Sequence, residues 1–156
     1  MIPEEFFVTS GKATSPVSEL NAFDLALKNA GIAHCNLVPV SSILPPECKE
    51  RKWQKLPAGS IVHAVVARMD GDEGVTVGAG IAWAWEKSGE YGIVAEAHGS
   101  MDRKALRETL VWRIREMAEI RGIEIGEVKF RIEVLRVPMA HYGCVIATLV
   151  YCPLTC

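Results

Sequence analysis

The stretch Val75-Thr76-Val77-Gly78-Ala79-Gly80-Ile81-Ala82-Trp83-Ala84-Trp85 restricts the possible folds more than any other. Its branched and aromatic residues predict a strand. Ile81, Trp83 and Trp85 fall on one face, and Gly80, Ala82 and Ala84 on the other. Neither face is polar, so the strand needs cover on both sides. Gly78-Ala79-Gly80 lacks the third glycine and the following helix of a dinucleotide site, and close backbone packing explains it better. Gly143 to Tyr151 is a second strand that is almost wholly apolar. With strands dominant and turns short, the pattern predicts an α+β sandwich with antiparallel neighbours.

The remaining elements follow from periodicity and caps. Phe6 to Thr9 reads as a short strand and residues 10–18 as a loop. A helix is expected from Ala22 to Ala30, N-capped by Asn21, with Asp24 in its first turn and Gly31 past its end. Residues 34–40 form a strand, and Pro45 to Gly59 an exposed loop. Ser60 to Met69 should return through Asp70–Gly74 as a hairpin with the strand above. Tyr91 to Ala97 is a strand carrying Glu96. Ser100 caps a helix from Met101 to Arg121 whose buried stripe is Leu106, Leu110, Ile114 and Met117. Val128, Phe130, Ile132 and Val134 alternate with charges, as on a half-buried strand.

The 156 residues suit one domain. A net charge of −2 shows no electrostatic footprint for nucleic acid or an anionic membrane. No apolar run reaches membrane-spanning length, and Met1-Ile2-Pro3-Glu4-Glu5 lacks the basic start of a signal peptide, so a cytoplasmic protein is expected. The cysteines, Cys35, Cys48, Cys144, Cys152 and Cys156, are odd in number and irregular in spacing, which argues against a disulfide framework. No histidine or cysteine pair has metal-site spacing, and no metal is expected.

The segment Asn36-Leu37-Val38-Pro39-Val40-Ser41-Ser42-Ile43-Leu44-Pro45-Pro46 carries the chemistry. Prolines cannot donate ladder hydrogen bonds, so the strand should stop near the serines. Taken alone, Ser-Ser before Pro-Pro is also an ordinary turn. A serine held against its preceding carbonyl can attack it if the oxyanion is stabilised. Ser42 would then form an ester with Ser41. β-Elimination would leave dehydroalanine at 42, which hydrolyses to a pyruvoyl group. Asn36 offers side-chain N–H donors for the oxyanion.

Leu20-Asn21-Ala22-Phe23-Asp24, Asn29-Ala30-Gly31-Ile32, Asn36-Leu37 and Ser41 to Pro46 stand in this order. Leu56-Pro57-Ala58-Gly59 and Gly92-Ile93-Val94-Ala95-Glu96-Ala97-His98-Gly99 follow. The ordered set resembles the pyruvoyl-dependent arginine decarboxylases, from about Asn21 to Gly143-Cys144. The resemblance implies an αββα layering of sheets flanked by helices, and a trimer with active sites between subunits. It implies cleavage into residues 1–41 and 42–156, with a covalent pyruvoyl cofactor derived from Ser42. The implied reaction converts L-arginine to agmatine and CO2 through a Schiff base, a step in polyamine synthesis.

Decarboxylation leaves a carbanion that no ordinary side chain can accommodate, so a carbonyl cofactor is required. Glu96, among Ile93, Val94, Ala95 and Ala97, is the candidate proton donor, because apolar surroundings raise a carboxyl pKa. On an alternating strand it also reads as an outward-facing glutamate. For substrate binding the resemblance points to Asp24, which would pair with the guanidinium, and to Leu27 and Ser41 beside it. Asp24 also reads as a helix-terminal charge. Ala33, Cys35 and His98 depart from the familiar pattern and bear on the substrate. Two other readings stand beside this one: a pyruvoyl decarboxylase for another amino acid such as histidine, and an unprocessed, non-catalytic homologue.

Overall fold

The computed structural model describes residues 1–153; Cys156 lies outside them. Among the described residues the elements are β1 (Glu5–Ser15), α1 (Glu19–Asn29), β2 (Asn36–Pro39), β3 (Ile43–Leu44), β4 (Lys49–Glu50) and β5 (Ile61–Gly71). There follow β6 (Thr76–Trp85), β7 (Gly92–Gly99), α2 (Arg103–Arg121), β8 (Lys129–Arg136) and β9 (Tyr142–Tyr151). One sheet has the order β2-β5-β9-β1-β4 and the other β3-β7-β6-β8.

The layering explains the doubly apolar strands. Val77, Ala79, Ile81 and Trp83 of β6 meet Val65, Ala67, Val145 and Leu149 of the first sheet in the central core. The opposite face of β6, with Ala82 and Ala84, lies under Leu106, Leu110 and Ile114 of α2. Strand β9 does the same for the first sheet: Val145 and Leu149 point inward, while Cys144, Ile146 and Val150 pack with Ala22 and Ala26 of α1. Each strand is therefore apolar throughout because it has a layer on each side. The glycines of β6 allow the contact. A Cβ at Gly78 would lie 2.7 Å from the Met101 carbonyl oxygen, and one at Gly80 2.9 Å from Leu110 Cδ1.

Several expectations are corrected. Whereas the second sheet is antiparallel throughout, the first is mixed, because β2 runs parallel to β5 and β4 parallel to β1. Both are short edge strands, reached after the chain has crossed back along the sheet. Strands β5 and β6 are not a hairpin: β5 pairs with β2 and β9, and β6 with β7 and β8. The turn between them carries the chain from one sheet to the other. At that corner a Cβ on Gly71 or Gly143 would come within 2.4 Å of Val77 or Val137, so the two sheets close only over glycine.

The loop expected at 10–18 is mostly strand, since β1 pairs with β9 as far as Ser15. Ser10, Lys12 and Thr14 occupy the less buried positions, and Gly11 lets α1 approach. Helix α1 begins earlier than expected, with Ser18 accepting the Asn21 N–H as its N-cap. Asp24 consequently lies beyond the first turn. Asp102 caps α2, while Ser100 donates to the Thr76 carbonyl. Ala118, not Met117, completes the buried stripe. No described helix is long and apolar enough to cross a membrane.

Candidate active site

The serine pair spans the gap between the two sheets. Strand β2 ends at Pro39, and the Val40 N–H still donates to the Ala64 carbonyl at 3.0 Å. The chain then leaves the first sheet, passes through Ser41 and Ser42, and joins the second as β3. There Ile43 and Leu44 stand opposite Ile93 and Gly92. The Ser42 carbonyl accepts from the Val94 N–H at 2.9 Å, and the Ile43 carbonyl from Tyr151 Oη at 2.5 Å. Hydrogen bonds on both sides of the serines thus fix a short crossover segment. This limits the conformational freedom that a backbone attack would otherwise have to overcome.

The two serines face different cavities. Ser42 lines one of about 310 Å³ with Glu96, Trp112, Arg113, Met117 and Ile120. Ser41 lines another of about 590 Å³ with Val40, Ile43, His63 and Tyr151.

Glu96 projects from β7 beyond the short cover that β3 gives that strand. Its side chain reaches solvent, yet the strand and α2 crowd it enough that burial raises its carboxyl pKa above the usual range. The positive fields of His98 and Arg113 oppose that rise. Arg113 also donates to the Glu96 carbonyl at 2.6 Å, which ties α2 to the β7 edge. A carboxyl biased towards its protonated form beside Ser42 suits a proton donor.

The other expected residues lie elsewhere on this chain. Asn36 opens β2, and its Nδ2 donates to the Gly59 carbonyl at 3.1 Å. Five residue steps separate it from Ser41, a span of at most roughly 16 Å. Asp24 is exposed on α1, and Leu27 packs on the core beneath that helix. None of the three lines the cavity of Ser42 and Glu96. Phe23, next to Asp24, is stacked by the Arg68 guanidinium at 3.6 Å, and Arg68 pairs with Asp70 at 2.9 Å.

Sequence reasoning missed the ring of residues around the serines. Trp112, exposed on α2 outside the expected buried stripe, was a detectable signal. Tyr151 was less visible, because a tyrosine ending an apolar strand does not disclose that its hydroxyl reaches Ile43. The crowding of Glu96 likewise depends on α2 arriving from far along the chain.

Comparison with known proteins gives the family. The family model described as pyruvoyl-dependent arginine decarboxylase matches residues 5–156. A pyruvoyl-dependent arginine decarboxylase of Methanopyrus kandleri is 36% identical over 150 residues, 96% of this chain and 97% of that protein. That of Methanothermobacter thermautotrophicus is 38% identical over 123 residues, 78% and 80% of the two chains. Among solved structures, a pyruvoyl-dependent histidine decarboxylase aligns with a TM-score of 0.52 at 15% identity, covering 64% of this chain and 54% of that one. At that identity the likeness concerns the fold.

Proposed function

We propose a function from one premise: the chain belongs to the pyruvoyl-dependent arginine decarboxylase family. It is a self-processing carboxy-lyase that cuts itself between Ser41 and Ser42, carries a covalent pyruvoyl group at position 42, and converts L-arginine to agmatine and CO2. The observation that carries the reading is the crossover segment, where Ser42 shares a cavity with a carboxyl biased towards protonation.

The pyruvoyl group supplies the electron sink that the carbanion of decarboxylation needs. The chain's own residues do the rest. Glu96 holds the proton that Cα receives after CO2 leaves. Trp112, Met117 and Ile120 offer apolar walls that limit water around it. At about 310 Å³ the cavity lies at the lower end of ligand pockets, so one chain gives only part of a site.

A second copy supplies the remainder. Val38, Val40, Ile43 and Ile61 are all exposed around the serines, a cluster that soluble monomers seldom leave uncovered. In the trimer that the family pattern implies, this edge is covered and the active sites lie between subunits. Asp24 and Leu27 on α1 then face a neighbour's pyruvoyl group, where the carboxylate pairs with the substrate guanidinium. Asn36, distant from its own Ser41, is available to a neighbour's oxyanion in the same way.

Intact mass and agmatine assay test the reading. Wild type should yield residues 1–41 and a longer chain with a blocked N-terminus, and should form agmatine from arginine. Ser42→Ala should stay whole and inactive. A Ser42→Ala chain still cut at this bond would overturn the assignment.

A further inference from the structure

His63 stands on β5 beside the cleavage segment, and none of the roles above uses it. Its place in the strand alternation matches Val65 and Ala67, which face the space between the sheets, whereas Val62 and Ala64 face α1. In the parallel pairing His63 is level with Val38. The next tie, from Val40 to Ala64, is the last before Ser41 leaves the sheet. The imidazole is half-buried and lines one cavity with Ser41, Ile43 and Tyr151. His34 and His141 are each engaged by a backbone carbonyl. Among the described residues His63 has no such partner.

We propose that His63 is the base for the elimination step of self-cleavage. The proposal rests on the reading that the Ser41–Ser42 bond is processed. In the first step Ser42 Oγ bonds to the Ser41 carbonyl carbon, the C–N bond breaks, and the nitrogen of residue 42 becomes an amine. His63 then takes the Cα proton of residue 42. The C–H electron pair becomes the Cα=Cβ bond, and the Cβ–O bond breaks with its pair leaving on Ser41 as a carboxylate. Residue 42 is now dehydroalanine. Its imine tautomer adds water and releases ammonia to give the pyruvoyl group. No oxidant or reductant enters.

Two features favour His63 over Glu96 for this proton. The leaving carboxylate belongs to Ser41, which lines the cavity of His63, whereas Glu96 lines the cavity of Ser42. The imidazolium formed attracts the departing carboxylate, whereas a glutamate that takes the proton becomes neutral and offers no such attraction. Tyr151 holds the Ile43 carbonyl and keeps the segment in place during the step.

A general base contributes roughly 100- to 10,000-fold. His63→Ala and His63→Gln should therefore form the pyruvoyl chain at least about 100-fold more slowly than wild type. The ester has the same mass as the intact chain, so hydroxylamine, which splits esters and spares amides, is the probe. Both variants should accumulate a full-mass species that hydroxylamine cuts into a 1–41 hydroxamate and a chain beginning with an unmodified Ser42. Added imidazole should restore pyruvoyl formation in His63→Ala. Comparable thermal unfolding of the variants and wild type checks that they fold. The proposal is overturned if the folded variants process at the wild-type rate. Full-mass chains that resist hydroxylamine and ignore imidazole also overturn it, because His63 would then act before the ester or only on structure. Wild type that itself stays whole defeats the processing reading along with this one. Processed wild type beside indifferent variants defeats only the role of His63.

Discussion

In the proposed reaction Glu96 meets two opposed requirements on one side chain. Protonating Cα favours a carboxyl that holds its proton to higher pH, and burial shifts Glu96 in that direction. The same burial lowers stability once the group ionises. With a native pKa above the unfolded one, the folded state binds more protons between the two values, so stability falls as pH rises through that window. Glu96→Gln should match wild type in stability below the ordinary carboxylate range and exceed it above the raised value. Chemical denaturation across pH measures this. The variant should still acquire its pyruvoyl group yet form agmatine about 100-fold more slowly or worse. Undiminished turnover would move the proton donor elsewhere. Asp24 has a separate test. Losing one member of a desolvated charge pair costs roughly 2–5 kcal/mol. Processed Asp24→Asn should therefore show a large rise in KM for arginine and no matching penalty for uncharged citrulline. Equal losses for both would leave Asp24 as a surface charge of α1.

The contact of α1 with β1 is closer than side chains ordinarily permit. A Cβ at Gly11 would lie 2.1 Å from the Ala26 carbonyl oxygen and 2.8 Å from the Ala30 nitrogen, both backbone atoms of the helix segment. Thr9 Oγ1 donates to the Ala30 carbonyl at 2.8 Å, so strand and helix end are also joined by a buried bond. Gly11→Ala must push the helix outward. Overpacking of this kind costs about 1–3 kcal/mol or more, and the urea midpoint should fall accordingly. Gly59→Ala offers a contrast. Its φ is +82° with nothing within 4 Å, so only the left-handed backbone resists a side chain, at about 1–2 kcal/mol. A larger loss at Gly59 than at Gly11 would mean that the helix adjusts freely. Because Asp24 rides on α1, a displaced helix should also raise KM for arginine.

At the level of the whole molecule, Ser42 and Glu96 share one cavity while Asp24 and Asn36 lie outside it. If sites form between copies, two inactive chains can complement each other. Asp24→Asn retains the pyruvoyl source, and Ser42→Ala retains the carboxylate. Co-expressed and assembled together, they should place an intact Asp24 against an intact residue 42 in roughly a quarter of interfaces. Agmatine formation at low arginine should then exceed that of either variant alone, and sedimentation should show a particle of three protomers. Mixed particles with no gain would place the whole site within one chain.

Much of this was legible in local sequence. The doubly apolar β6 and β9 required cover on both faces, and they received it because side-chain alternation is a property of the strand itself. Gly31 and Gly122 ended the helices where left-handed backbone was needed. The ordered motifs identified the family and marked Ser41–Ser42 as the bond to examine. Three-dimensional packing decided what no local window contains. It sent β5 and β6 into different sheets, since each strand gained partners from distant segments that a simple hairpin would have denied it. It extended β1 through polar residues, because β9 offered a full ladder and Gly11 a seat for α1. It also stretched the serine pair between two sheets, with Glu96 in the cavity of Ser42 and His63 in that of Ser41. That arrangement joins residues far apart along the chain, and only the closing of the sandwich puts them at a common point.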